Sequence, residues 1–296
     1  MRKTVLWGTG NDFSRYLNLI HYFEIKSDID VIGVTSNEIM YDTIYGYIFF
    51  EKNMLLRLEF DIIIVMSDRA FQEIEKEIER MEIDVPIIPC SVLSIPEFDF
   101  DKYIRIKKKI PTIFACNCWG GLLYHRLRLP FESTFINLFV KDEHFLRFLY
   151  RPVFYMEQKL ELGYIEYDEY LDKKYPVGIC GDIEVHFNHY KDYDNAKVDW
   201  ERRKNRIHWD RLFVMMYTED ESVAVRFSTL PYEKKVCFVP FESNLQGVCT
   251  IPYTKGDNVH FFEIVNGVVS GKYQYYDILS VLSGDIIKNS KICYVK

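Results

Sequence analysis

The sequence predicts an α/β protein of two domains: an N-terminal parallel, doubly wound sheet over 1–110 and a second α/β domain with mostly parallel strands over 111–296. Three observations carry this expectation. Short apolar runs alternate with segments of helical period, which is the pattern of strands joined by crossover helices. The first apolar run ends in Gly8-Thr9-Gly10, a strand-to-helix turn. A charged stretch bounded by Pro96 and Pro111, with Lys107, Lys108 and Lys109 inside it, separates two such series and reads as the connection between them.

The elements follow in order. Thr4 to Trp7 is a strand, and Phe13, Tyr16, Leu17 and Ile20 then recur at helical spacing. Val31 to Val34 and Asp61 to Val65 read as buried strands, Ala70 to Met81 as a charged amphipathic helix, and Val85 to Ile88 as another strand. This half resembles the Rossmann-like domains that open many sugar-nucleotide and dinucleotide proteins. Gly8, Thr9, Gly10 and Asn11 are then the cofactor-binding candidates, since backbone N–H groups at a helix start hold phosphate. The same glycines also serve a tight turn that binds nothing. Phe13 stands where the third glycine belongs, and Thr35-Ser36-Asn37 stands where a ribose-binding carboxylate belongs.

In the second half, Ile113 to Cys116 reads as a strand running into a further strand-to-helix turn at Asn117-Cys118-Trp119-Gly120-Gly121. Phe135 to Val140 reads as a strand and Glu143 to Tyr150 as a helix. Pro152 opens another helix, whose apolar side runs through Val153, Met156, Leu160 and Leu162. Leu212 to Tyr217 and Lys235 to Val239 are strands joined by a helix over Ser222 to Leu230 capped by Asp220. Gly247 to Ile251 and Val259 to Val265 read as short strands and Tyr275 to Leu282 as a helix.

With 296 residues and 48% hydrophobic content there is material for two cores, and a formal net charge of −7 gives no global attraction to nucleic acid or anionic lipid. No run of about 18 apolar residues occurs, and the start MRKTVLWGTG passes directly into a strand. A cytoplasmic protein without stable membrane insertion is expected. Seven cysteines, Cys90, Cys116, Cys118, Cys180, Cys237, Cys249 and Cys293, are scattered through apolar segments without C-x-x-C pairs and read mostly as buried thiols.

The densest chemistry lies between Gly181 and Arg211. Asp182, Glu184 and His186 alternate with Ile183, Val185 and Phe187, so a strand here puts the ionisable trio on one face. With His189 they are the catalytic candidates. Their chemistry suits a divalent metal, an acid–base pair or a buried hydrogen-bond network alike. Asp192, Asp194 and Asn195 offer caps to a following helix, whose Arg202, Arg203 and Arg206 either grip a phosphate or carboxylate or form surface ion pairs such as Asp199 with Arg203. Cys118 at a helix start is either a nucleophile approached over Gly120 and Gly121 or a small apolar residue beside Trp119.

Three motifs in order, Asn117-Cys118-Trp119-Gly120-Gly121, Asp182-x-Glu184-x-His186-Phe187-x-His189-Tyr190 and Trp200-x-Arg202-Arg203-x-x-Arg206-Ile207, resemble an uncharacterised bacterial family whose members are often named exopolysaccharide-biosynthesis proteins. The likeness covers Pro111 to about Phe241, with Cys116 where the family pattern has Asn. It implies a setting in cell-surface polysaccharide assembly and these motifs as the site: Asn117, Trp119, Gly120, Gly121 and the arginines for ligand, Cys118 and the carboxylate and histidine set for chemistry. The combined expectation is a protein acting on a phosphorylated or nucleotide-linked sugar, with nucleotide or divalent metal as the possible cofactor. The alternatives are a nucleotide-sensing partner and an NAD-dependent oxidoreductase.

Overall fold

The glycine turn after the first apolar strand sets the pattern for the N-terminal part of this computed structural model, which describes residues 1–38, 42–169, 172–253 and 259–285. The chain divides into two compact units, Met1–Ile104 and Arg105–Lys296.

In the first unit β1 (Arg2–Trp7) leads through α1 (Asn11–Ile25) to β2 (Ile29–Thr35). A two-residue ribbon of β3 (Thr43–Ile44) and β4 (Tyr47–Ile48) and a 3-10 turn at Lys52–Arg57 return the chain to β5 (Ile62–Val65). α2 (Phe71–Arg80) then crosses to β6 (Ile87–Pro89). The sheet order is β2-β1-β5-β6, parallel throughout. Because α1 carries the chain outward to β2 and α2 carries it the other way to β6, right-handed crossovers place the two helices on opposite faces. On one face Val5, Trp7, Ile63 and Val65 pack with Phe71, Ile74 and Ile78 of α2. The reversal falls between neighbouring strands β1 and β5, where α/β sheets open a crevice at the strand C-termini.

The segment read as a bare connection contains α3 (Phe100–Lys108), across which the two units divide. β7 (Thr112–Ala115) and α4 (Trp119–Arg126) follow, then α5 (Asp142–Tyr150) and α6 (Pro152–Glu157), with proline at the start as expected. Next come β8 (Leu160–Asp168), β9 (Lys173–Cys180) and β10 (Ile183–His186), then α7 (Tyr193–Lys204). β11 (Leu212–Tyr217), α8 (Glu221–Ser228), β12 (Lys235–Val239), β13 (Val248–Thr250), α9 (Phe261–Val269) and α10 (Ile278–Ser283) complete the unit. β7, β11, β12 and β13 form a second parallel sheet in the order β13-β12-β11-β7. Asp220 caps α8 as expected, accepting from the amides of Ser222 and Val223.

Several expectations need correction. The second unit is mixed: beside its parallel sheet, β8, β9 and β10 make an antiparallel meander that the sequence reading did not include. Leu160 and Leu162, read as the apolar side of a helix, open β8; its alternation is broken at the bulge between Leu162 and Tyr164, which hides the strand period. Phe135 to Val140 is a loop that touches β10 by one bridge, Phe139 to His186, and the strand expected from Val259 is the N-terminus of α9. No helix among the described residues is long and apolar enough to cross a membrane. Cys90, Cys116, Cys180, Cys237 and Cys249 are buried free thiols and Cys118 is partly exposed; Cys293 lies outside the described residues.

Candidate functional site

The C-terminal end of β7 in the parallel sheet meets the meander. The amide of Val140 donates to the Cys116 carbonyl (2.8 Å), and Phe139 and His186 exchange backbone bonds (2.9 Å each). These contacts seat the loop after β10 against the turn after β7. The result is a thiol–imidazole pair: Cys118 Sγ lies 3.0 Å from His189 Nε2, 71 residues apart in sequence. Cys118 is the N-cap residue of α4. Burial pushes its thiol up to about 11, with Lys173 pulling the other way. Burial also lowers His189, helped by Lys173. At neutral pH the pair is therefore a protonated thiol beside a neutral imidazole, not a thiolate–imidazolium ion pair; in the tautomer that leaves Nε2 bare, the thiol donates to it. Such a pair acts by general-base transfer at the moment of attack.

Register groups the side chains of the meander. Side chains alternate along a strand, so Lys173, Tyr175 and Val177 of β9 share a face with Glu184 and His186 of β10, which pair with Ile179 and Val177. His186 is fully buried, stacked on Phe139 with ring centres 4.4 Å apart, and its Nδ1 faces the Tyr175 hydroxyl at 3.3 Å. Its Nε2 has no hydrogen-bond partner and lies 3.6 Å from Glu184 Oε2. Burial drives the imidazole down to about 4, Lys141 adding to the effect, so it is neutral. The same Glu184 oxygen has Tyr164 Oη at 3.4 Å and Lys141 Nζ at 4.0 Å. His144 Nδ1 accepts from the Glu184 amide at 3.0 Å, which leaves its proton on Nε2.

Several sequence-predicted residues have other duties. Asp182 does not join Glu184 and His186: it precedes β10, accepts from the Tyr155 hydroxyl at 2.6 Å and faces Arg147. Trp119, expected at the ligand, is fully buried, stacked on Phe213, and donates from Nε1 to Tyr276 Oη at 2.8 Å. Asn117 is also buried; it accepts from the Trp119 amide and donates to Asn266. A Cβ on Gly120 would meet Ile113 Cγ2 at 3.1 Å, so this glycine lets α4 lie close on β7, while Gly121 has ordinary room. The arginines do not line one open site; two of them share the carboxylate of Asp199. Arg203 is buried and tethers the Ile136 carbonyl, Tyr190 Oη and Asp199; Arg202 pairs with Asp199, and Arg206 donates to the Phe131 carbonyl. Among the described residues no three of His, Cys, Asp and Glu gather as metal ligands would.

Residues 90–283 match the domain of unknown function DUF1919. The chain belongs to this family. Residues 1–88 match a second description, C2185-like, N-terminal. An uncharacterized protein of Haemophilus influenzae is 38% identical over 130 residues, 43% of this chain and 60% of that protein. The chain thus spans less than two thirds of the curated relative it matches.

The DUF1919 match contains the Cys118–His189 pair and the Glu184 cluster; Gly8 to Asn11 fall in the C2185-like part. There the crevice between β1 and β5 is a cleft of about 720 Å³ lined by Gly8, Thr9, Gly10 and Asn11 with Ser36, Glu38, Ser67 and Arg69. Within the DUF1919 match, Lys141, His144 and Tyr164 meet Glu184 and Tyr175 meets His186, four neighbours absent from the sequence-based expectations. The alternation Lys173-x-Tyr175-x-Val177 was the available signal.

Proposed function

We propose that the DUF1919 part is a transferase or modifying enzyme acting on a phosphorylated or nucleotide-linked sugar in bacterial cell-surface polysaccharide assembly, with Cys118 as nucleophile and His189 as its base. The supporting observation is the 3.0 Å contact between Cys118 Sγ and His189 Nε2 at the C-terminal edge of a parallel sheet, where α/β folds gather ligands. The sugar setting rests on the three-motif resemblance. In the proposed step Sγ bonds to an electrophilic carbon of the donor, the S–H proton passes to Nε2, and that proton leaves with the departing group. An acceptor hydroxyl then gives its proton to Nε2 and attacks the same carbon, the C–S bond breaks, and Nε2 returns that proton to the departing sulfur.

A thermal-shift screen of sugar phosphates and nucleotide-linked sugars, followed by intact-mass analysis, tests this. A mass adduct on the parent that is absent from Cys118→Ser is expected. Binding with equal turnover by parent, Cys118→Ser and His189→Ala sinks the nucleophile.

A second reading, a nucleotide-sensing partner of the polysaccharide machinery, is favoured by the cleft beside Gly8 to Asn11. It requires nucleotide to bind while Cys118→Ser changes nothing. Calorimetric titration of nucleotides into the parent and into that variant separates the two readings.

A further inference from the structure

One oxygen of the Glu184 carboxylate is crowded and the other is open. Tyr164 Oη lies 3.4 Å from Oε2, His186 Nε2 3.6 Å and Lys141 Nζ 4.0 Å, while Oε1 has no hydrogen-bond partner among the described residues. His144 Nδ1 lies 4.0 Å from Oε2 and accepts from the Glu184 amide; its remaining N–H, at Nε2, is likewise without a partner among the described residues. An open acceptor and an open donor therefore stand side by side, on side chains that are 28% and 22% exposed. Tyr164 belongs to the same row across the meander, through Val177 to His186, and its ring is 39% exposed.

The charges on this face leave no positive excess. Lys141 stands against Glu184, Glu166 adds a second carboxylate opposite Tyr175, and Lys173 pairs with Asp168 across the β8–β9 ladder. An anion gains nothing here, and a cation meets the Lys141 ammonium. An uncharged ligand with several hydroxyls fits better, because each hydroxyl both donates and accepts. Neighbouring hydroxyls then answer a carboxylate oxygen and an imidazole N–H together, and the C–H face of a sugar ring lies on an aromatic ring.

We propose that Glu184, His144 and Tyr164 form a subsite for an uncharged sugar ring. Glu184 Oε1 accepts from one hydroxyl, His144 Nε2 donates to the next, and the Tyr164 ring takes the apolar face. The inference rests on the sugar setting proposed above and deepens it, since a ring without phosphate is the acceptor and not the donor. From His186 to His189 is three residues, at most about 10 Å of chain, so one short stretch carries both the subsite and the base of the thiol–imidazole pair.

Saturation-transfer NMR on the full chain, with methyl glycosides of the neutral hexoses and N-acetylhexosamines as probes, tests this. At least one glycoside should bind, with an affinity unaffected by added salt and by phosphate or acetate as competitors. Glu184→Gln should weaken it about tenfold, the loss of one charge-assisted hydrogen bond. Tyr164→Phe should keep most of the affinity and Tyr164→Ala should lower it about threefold or more. Each variant is compared at parental melting behaviour.

A folded parent that holds none of the glycosides overturns the subsite, and so does binding indifferent to both Glu184→Gln and Tyr164→Ala. Displacement of the glycoside by phosphate at matched ionic strength makes this an anion site and overturns it too. Failure of the Cys118 reading looks different. Glycoside held equally by the parent and Cys118→Ser, with no sugar adduct on the thiol, removes the nucleophile and leaves the subsite standing. An adduct on Cys118 without glycoside binding does the reverse.

Discussion

His186 is neutral in the fold because burial and Lys141 drive it down to about 4, against about 6.5 when unfolded. The unfolded chain therefore binds more protons between these values. The stability that comes from keeping this ring neutral is complete above about pH 6.5 and is lost as pH falls toward 4, at most roughly 3 kcal/mol. Urea titrations at pH 7.5 and 5 should show a loss in the parent that shrinks in His186→Gln; an equal loss in both excludes His186 as the source. Arg203 makes the opposite kind of demand. Its buried guanidinium holds the Ile136 carbonyl, Tyr190 Oη and Asp199, so Arg203→Ala should cost about 3 kcal/mol by leaving partners unpaired. Arg202→Ala, at an exposed position, and Arg206→Ala, at a half-buried one, should cost less than about 1 kcal/mol each. Equal costs at the three positions would contradict the tether. The sequence displayed the chemistry of these side chains without their direction. Arg202 and Arg203 are neighbours on α7 turned about 100° apart by helix geometry, and which of them faces the core depends on Ile136 and Tyr190, far away in the chain.

Where a strand or helix is buried and regular, its pattern is readable: β1, β5, β7, β11 and β12 are apolar runs, and α2 and α8 show helical periodicity. The meander is not, and each reason is local. β8 is an exposed edge strand whose alternation changes phase at Gly163. β9 carries Pro176, which ordinarily argues against a central strand; it is tolerated because the β10 ladder ends beside it at His186, with Phe187 donating to the Pro176 carbonyl. Without the meander, Tyr164 and Tyr175 are not legible as neighbours of Glu184 and His186. At α4 the two adjacent glycines separate packing from propensity. Gly120→Ala gains about 1 kcal/mol of helix propensity but sets a Cβ 3.1 Å from Ile113 and 3.4 Å from Ala115. Neither strand residue can withdraw from a packed sheet, so a net loss of about 1 kcal/mol is expected. Gly121→Ala meets Ile136 at 3.6 Å and should gain up to about 1 kcal/mol. Denaturant midpoints for the pair check the sign, and a stabilised Gly120→Ala would show that α4 has slack against β7.

Among the described residues each of the two units carries one parallel sheet, and the strand C-termini of each support one reading of its work: covalent chemistry at Cys118, nucleotide sensing at Gly8 to Asn11. The first unit supplies a clean test of the second reading, because its two turn glycines differ in kind. Gly8 has φ +116°, and a Cβ there would lie 3.3 Å from the Met66 carbonyl. A side chain at Gly8 must therefore distort both backbone and neighbour, with a cost of about 2–4 kcal/mol expected for Gly8→Val. Gly10, the N-cap of α1, has φ −82° and nothing within 4 Å of an added Cβ. Gly10→Val should thus fold, losing about 1 kcal/mol because valine is a poor N-cap, while its branched side chain fills the approach to the α1 amides. Gly10→Ser restores the cap with a smaller group. If this cleft takes a nucleotide phosphate, calorimetry should find affinity in the parent, most of it kept in Gly10→Ser, and none in a folded Gly10→Val. Parental affinity in Gly10→Val, or no nucleotide binding by the parent, makes the turn a purely structural device and leaves the site around Cys118 to account for function.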